Sequence, residues 1–207
     1  NDIELYQNIL GVMPPWIVTS VQLDLKAKTV TVHVEYGQDG MSRCPICNSE
    51  APVYDHQIRR WRHLDTCQMT TIIECSVPRV TCGTHKTKQL HVPWAESNSH
   101  FTMLFEALAI DWLKKTSISG VAELLSLSWD EAAGIQERAV KRGLSRREEK
   151  PMTNVAIDET SFQKRHEYVT VINDKDSGNV VDVLDDRKSE TLEKWLKQRP
   201  KEHLASI

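Results

Sequence analysis

The chain has 207 residues and 40% hydrophobic content, enough for one large or two to three small globular domains, with no apolar run long enough to cross a membrane. Its formal net charge of -3 announces no polyanionic partner as a global property, so the distribution of charge has to be read instead. Cations gather in His56–His63 and Lys141–Arg147, and acids gather late, at Asp182, Asp185 and Asp186. A chain segregated in this way can meet a phosphate backbone with its front half. The first residue is Asn1 rather than Met, which reads as a trimmed start.

Ile3 to Gly11 carries apolar residues at Ile3, Leu5, Tyr6, Ile9 and Leu10, a short amphipathic helix stopped by Gly11 and Pro14-Pro15. The alternating runs Trp16–Leu25 and Thr29–Tyr36, joined by Lys26-Ala27-Lys28, predict a β-hairpin. Next comes Cys44-Pro45-Ile46-Cys47, answered well downstream by Cys82-Gly83-Thr84-His85. Two close pairs of soft ligands suit a tetrahedral zinc ion, each pair clamping one edge of the tetrahedron, and the long interval leaves room for a small β-hairpin. No apolar signal segment precedes the cysteines, so a reducing, cytoplasmic setting is expected and disulfides are disfavoured. Cys67 and Cys75 read as small buried hydrophobes on strands rather than as ligands. Short strands are expected at Arg59–Leu64, Met69–Glu74 and Arg79–Thr81, completing a β-rich first domain over residues 1–95 whose small core the metal reinforces.

From Phe101 the period becomes helical. Phe101, Leu104, Phe105, Leu108, Ala109 and Trp112 share one predicted face, and Lys114-Lys115 closes the helix. A second short helix carries Ala122 at its crossing point, Ser126-Leu127-Ser128 turns, and a third helix runs from Trp129 to Val140 with Ser128 as its cap. The pattern is that of a helix-turn-helix over residues 96–148, though an ordinary αα-hairpin has the same shape. The cations Lys141–Arg147 sit where the last helix would exit toward phosphates, which favours double-stranded DNA. On this reading the Trp129–Val140 helix enters the major groove. Gln136 and Arg138 are the expected base readers, and Arg59, Arg60, Arg62, Arg142, Arg146 and Arg147 the expected phosphate contacts.

After the polar stretch Arg146–Thr153, Asn154–Glu159 predicts a core strand ending in carboxylates. Glu167–Asn173 and Asn179–Leu184 predict two more strands, with the turn formers Asp174–Gly178 between them. A helix capped at Ser189 or nearby follows over Ser189–Lys197. Strand, strand, strand, helix is the first half of an α/β domain, placed at 153–207. A strand-tip carboxylate such as Asp158 can hold a hard cation, although a solvated strand-end acid is the commoner finding.

The order of these modules resembles the DDE transposases of bacterial insertion sequences, and most closely the insertion-sequence L-three (ISL-three) family. The resemblance rests on Cys44–Cys47, Arg59–Leu64, Arg79–Cys82, Val155–Glu159 and Asp185–Leu192. It implies a multidomain α+β protein: a zinc-binding β-rich domain, a helix-turn-helix, and the opening of a ribonuclease-H-like catalytic domain. It implies further that three acids hold two magnesium or manganese ions for strand cleavage and joining. Asp158 matches the first acid. The second is expected on a strand just beyond the Ser189–Gln198 helix and the third much later, so the 207-residue chain alone is expected to be inactive. In the family the second ligand pair is often two cysteines, which leaves His91 as a rival to His85. The implied partners are terminal inverted repeats, bound by a pair of protomers, in a nucleoid-associated bacterial protein with no membrane partner.

Two other readings compete. One is a zinc-containing transcriptional regulator whose last segment merely packs, and the other a zinc-stapled assembly module with no nucleic-acid role. The basic Arg/Trp strand and the helix-turn-helix argue against the module.

Overall fold

The computed structural model describes residues 2–37, 42–147, 152–161, 168–198 and 204–206. They fall in two compact units, 1–143 and 144–207. Parts of the polar stretch after Arg147, the start of the second late strand at Glu167, and the terminal residues His203 and Ile207 lie outside the described residues.

In the first unit a short helix, α1 (Asp2–Ile9), precedes the expected hairpin of β1 (Trp16–Asp24) and β2 (Thr29–Tyr36). Where three short strands were expected, two long ones form, β3 (Val53–Thr66) and β4 (Met69–Cys82), with β5 (Lys86–Gln89) added to the end of β4. The sheet order is β1-β2-β4-β3, and β2 runs parallel to β4. Pro78 obscures the continuity of β4 in the sequence. It sits where β4 exchanges β2, last paired at Ser76, for β5, first paired at Arg79, so a residue without an N–H costs little there.

One face of the sheet builds the main core from Val30, Val32, Val34, Trp61, Ile73, Cys75 and Val77, all at most 2% exposed. Trp94 closes it edge-on against Trp16 and Trp61, with ring centroids 5.2 and 5.6 Å away. Cys75 is a buried strand residue as expected, and burial pushes its thiol up to about 12. Cys67 corrects the reading. It is exposed and forms the β3–β4 turn with Gln68, both at positive φ (51° and 63°), a tight hairpin without the usual Asn-Gly signal.

The helical module hangs from the free edge of β3. Arg62 N–H donates to His100 O (2.8 Å) and Thr102 N–H to Arg62 O (2.9 Å), after which Thr102 caps α2 (Met103–Leu113), its Oγ1 accepting from Phe105 N–H at 3.2 Å. The same hydroxyl bonds Nδ1 of the buried His63 at 2.9 Å. The next two helices are α3 (Ile118–Leu125) and α4 (Trp129–Ser145), separated by a turn in which Ser126 is left-handed. Ser128 caps α4 as expected, in a reciprocal box: its Oγ accepts from Glu131 N–H while the Glu131 carboxylate accepts from Ser128 N–H (2.8 Å). A second core of Phe101, Phe105, Ala109, Val121 and Ile135, with Leu64 against it, lies under these helices.

The predicted face of α2 is displaced. Phe101 precedes the helix, Leu104, Leu108 and Trp112 are 52%, 37% and 43% exposed, and the buried face is Phe105, Glu106 and Ala109. The helix is turned because Glu106 points inward to meet two arginines of α4.

In the second unit β6 (Met152–Ser161), β7 (Tyr168–Asp174) and β8 (Val180–Leu184) pair antiparallel. They are followed by α5 (Ser189–Lys197) and then β9 (Leu204–Ser206), which pairs parallel to β6. The order is β8-β7-β6-β9, with Val155, Ile172 and Trp195 as the core. The α5 cap is Lys188, immediately before Ser189, with no side-chain cap bond. Asp186 supports the turn instead, accepting from Lys188 N–H at 2.9 Å, and that donor holds its carboxyl below the usual range.

Burial lowers the pKa of His63 below its ordinary value of 6.5. As pH falls, the unfolded chain takes up the proton first, so stability is fully present above that ordinary value and is lost as pH falls below it toward the folded pKa. A melting-temperature series should show this decline, and His63→Gln should flatten it. An unchanged pH slope in the variant would place the titrating group elsewhere.

Candidate metal centre and nucleic-acid interface

Two tight turns present the four metal-ligand candidates. In the first, Asn48 N–H donates to Cys44 O and Cys44 N–H to Ser49 O, both at 2.8 Å, with Asn48 at positive φ. The second follows β4 directly, so Cys82 is the last residue of that strand and His85 immediately precedes β5. The three Sγ atoms and the imidazole nitrogen all lie within 4.8 Å of one another. Cys44 Sγ–His85 Nδ1, Cys47 Sγ–Cys82 Sγ and Cys82 Sγ–His85 Nδ1 are each 3.7 Å. A tetrahedron with arms of about 2.3 Å has edges of about 3.8 Å, so the donors already have the size of a zinc cage.

The surroundings favour thiolates. Backbone N–H groups of His85 and Thr84 hold the Cys82 pKa down to about 5, and Ser49, 3.1 Å from Cys47 Sγ, lowers that thiol as well. The bond to Cys82 raises the pKa of His85. His91 is not in the group; its Nδ1 faces Ser97 Oγ at 3.5 Å. Cys67 and Cys75 are outside it too.

Within the first unit the expected DNA-contacting arginines of β3 do not share one face. Strand alternation sends Arg59 to the core side of β3, opposite Cys75, and Arg60 and Arg62 to the other side. Arg60 pairs with Glu74 at 2.5 Å, and Arg62 pairs with Asp65 at 2.6 Å and lies over Phe105. On α4, Arg138 forks onto one oxygen of Glu106 through Nε (3.0 Å) and Nη2 (2.7 Å). Arg142 meets the other oxygen at 3.3 Å and Glu96 at 2.8 Å. Ser99 Oγ adds a bond to Glu106 at 2.9 Å. Arg138 and Arg142 are therefore half-buried cations already paired with acids of the helical module. Arg146 is exposed, and Arg147 donates to the Val180 and Val181 carbonyls on β8. Gln136 is exposed on α4.

Asp158 is exposed on β6, opposite Val171, and accepts from Glu159 N–H at 2.9 Å. Glu159 faces the other way, the side of Val155 and Ile157. Asp182 is tied rather than simply solvated, accepting the Trp195 indole N–H at 2.6 Å.

A β domain with a cage of metal-ligand side chains, a three-helix module and the first strands of an α/β domain follow one another along the chain. Three family models match in the same order: the zinc-finger of transposase IS204/IS1001/IS1096/IS1165 over residues 41–85, the helix-turn-helix domain of transposase family ISL3 over 90–140, and a DDE-type transposase domain of the same family over 155–207. The chain belongs to the ISL3 family of insertion-sequence transposases. It is similar to the transposase for insertion sequence element IS1557 of Mycobacterium tuberculosis, in strains CDC 1551 / Oshkosh and ATCC 25618 / H37Rv. Identity is 29% over 189 residues, covering 87% of this chain and 42% of each relative. No solved structure matches.

The cage ties the end of β4 to the loop before β3, so a structural zinc should contribute folding energy directly. Chelation of the purified chain, or Cys82→Ser, should lower the melting temperature of the first unit by about ten degrees or more. A chain without bound zinc, or a Cys82→Ser variant that melts like the parent, would contradict the assignment.

Proposed function

We propose that this chain recognises the ends of an insertion element and opens the catalytic domain of a longer transposase. The observation that carries the reading is the succession of zinc cage, helix-turn-helix and Asp158-bearing strand in one chain whose three segments match one transposase family. Cys44, Cys47, Cys82 and His85 hold the zinc. The division of the first unit near residue 95 follows its two hydrophobic cores. The α4 helix lies in the major groove with Gln136 toward base edges, and Arg146 at its exit meets phosphate. Two protomers act on two inverted-repeat ends. The regulator reading gives no account of an exposed acid within the first strand of a transposase domain, where β6 runs on to Ser161 rather than ending at the carboxylates.

Asp158 is the first acid of the metal-binding set. When bound, magnesium or manganese would supply charge neutralisation at the scissile phosphate and lower the pKa of an attacking hydroxyl. The chain's own contribution is position: β6 fixes the Asp158 carboxylate on the sheet face opposite Trp195. Its neighbours do not complete the set, since Glu159 faces away, Asp182 accepts from Trp195, and Asp186 supports the α5 turn. The parallel strand β9 is where the second acid belongs. Its register, with Ser206 opposite Asn154, would bring a continuation level with Asp158 within a few residues.

The test compares this chain with a full-length parent on a duplex carrying the element end. The short chain should bind and neither nick nor join with magnesium or manganese. The parent should do both and lose both on Asp158→Ala while keeping its DNA affinity. Cleavage that survives Asp158→Ala would show that another residue holds the metal.

A further inference from the structure

Between β3 and the segment after β5 lies a cleft of about 200 Å³, lined by Arg59, Trp61, Gln89, His91, Ser97 and Asn98 among others. We infer that this cleft seats a backbone phosphate of the DNA duplex whose bases α4 reads; the inference rests on the DNA-binding reading above.

The chemistry of the lining is that of an anion site. The Arg59 guanidinium lies 5.5 Å over the Trp61 ring and donates to Gln89 Oε1 at 3.4 Å, and among the described residues it has no carboxylate partner. That separates it from Arg60, Arg62, Arg138 and Arg142, whose guanidinium groups all meet acids. Gln89, His91, Ser97 and Asn98 can each turn a donor toward an oxyanion. The acid that lines the cleft, Glu96, is engaged by Arg142.

The cleft is also fixed against α4. Ser97 and Asn98 are exposed, but the residues flanking them are anchored: Glu96 bonds Arg142 at 2.8 Å, and Ser99 bonds Glu106, which Arg138 holds from the same helix. The loop tip therefore keeps its place relative to the part of α4 that carries Arg138 and Arg142. A phosphodiester suits the site because the volume is small and Arg59, Gln89, His91, Ser97 and Asn98 bring donors to its lining beside the apolar Trp61, Leu90, Val92 and Ala95.

Salt-dependent binding of the zinc-loaded chain to a mixed-sequence duplex tests this. Arg59→Gln should reduce the slope of log affinity against log salt by about 0.9. Ser97→Asp, an exposed change that puts a carboxylate at the cleft, should weaken binding about tenfold or more at low salt with unchanged melting and zinc content. Lys175→Gln, a cation removed from the second unit, should leave the slope alone. If the parent chain binds no DNA, the functional reading fails and the cleft with it. If the parent binds and Arg59→Gln and Ser97→Asp match it, the cleft alone is overturned. It is overturned also if only Arg59→Gln has an effect, or if Lys175→Gln lowers the slope equally.

Discussion

Glu106 is the carboxylate around which the helical half of the first unit is arranged. It is 3% exposed and accepts from Ser99, Arg138 and Arg142. An unpaired carboxylate at that depth would carry a desolvation cost of several kcal/mol, so the two arginines of α4 are held where they neutralise it. Three features follow. The α2 helix is rotated to bring Glu106 inward, which leaves Leu104, Leu108 and Trp112 partly exposed. The α4 helix is fixed against α2 at positions 138 and 142. The loop carrying Ser97 and Asn98 is pinned at both ends.

The β half depends on a different constraint. β4 is the spine of the sheet, pairing with β3 along one edge and with β2 and then β5 along the other. Its last residue, Cys82, belongs to the metal cage, so the strand is anchored at the end where β2 no longer supports it. The cage also draws the Cys44–Cys47 turn onto this point. Zinc therefore stabilises the end of β4 that has lost β2, while the Trp16–Trp94–Trp61 cluster packs the core, and the two devices share the work of a small domain.

Much of this was legible from local pattern. Alternation gave β1 and β2, the late strands and their turn, and Ser128 with Glu131 three residues on gave the α4 cap. The spacing of Cys44, Cys47, Cys82 and His85 gave the cage. Long-range facts had no local signal: the parallel pairing of β2 with β4, the continuity of β4 through Pro78, and the inward turn of Glu106. Two features left a signal that composition masked. A period of two puts Arg59 on the opposite side of β3 from Arg60 and Arg62. A helical period puts Arg138 and Arg142 on the stripe of the buried Ile135, where a cation needs an internal partner.

The central proposal is that α4 reads bases through its exposed face while Arg138 and Arg142 are tied to Glu106 and Glu96. The most direct measurement is the affinity of the zinc-loaded chain for an element-end duplex and for the same duplex scrambled, with Gln136→Ala beside the parent. The account expects the parent to prefer the element end. It expects Gln136→Ala to lose about 1–3 kcal/mol of that preference while keeping the affinity for the scrambled duplex and its salt slope. Equal affinity of the parent for both duplexes, or a preference untouched by Gln136→Ala, would contradict it.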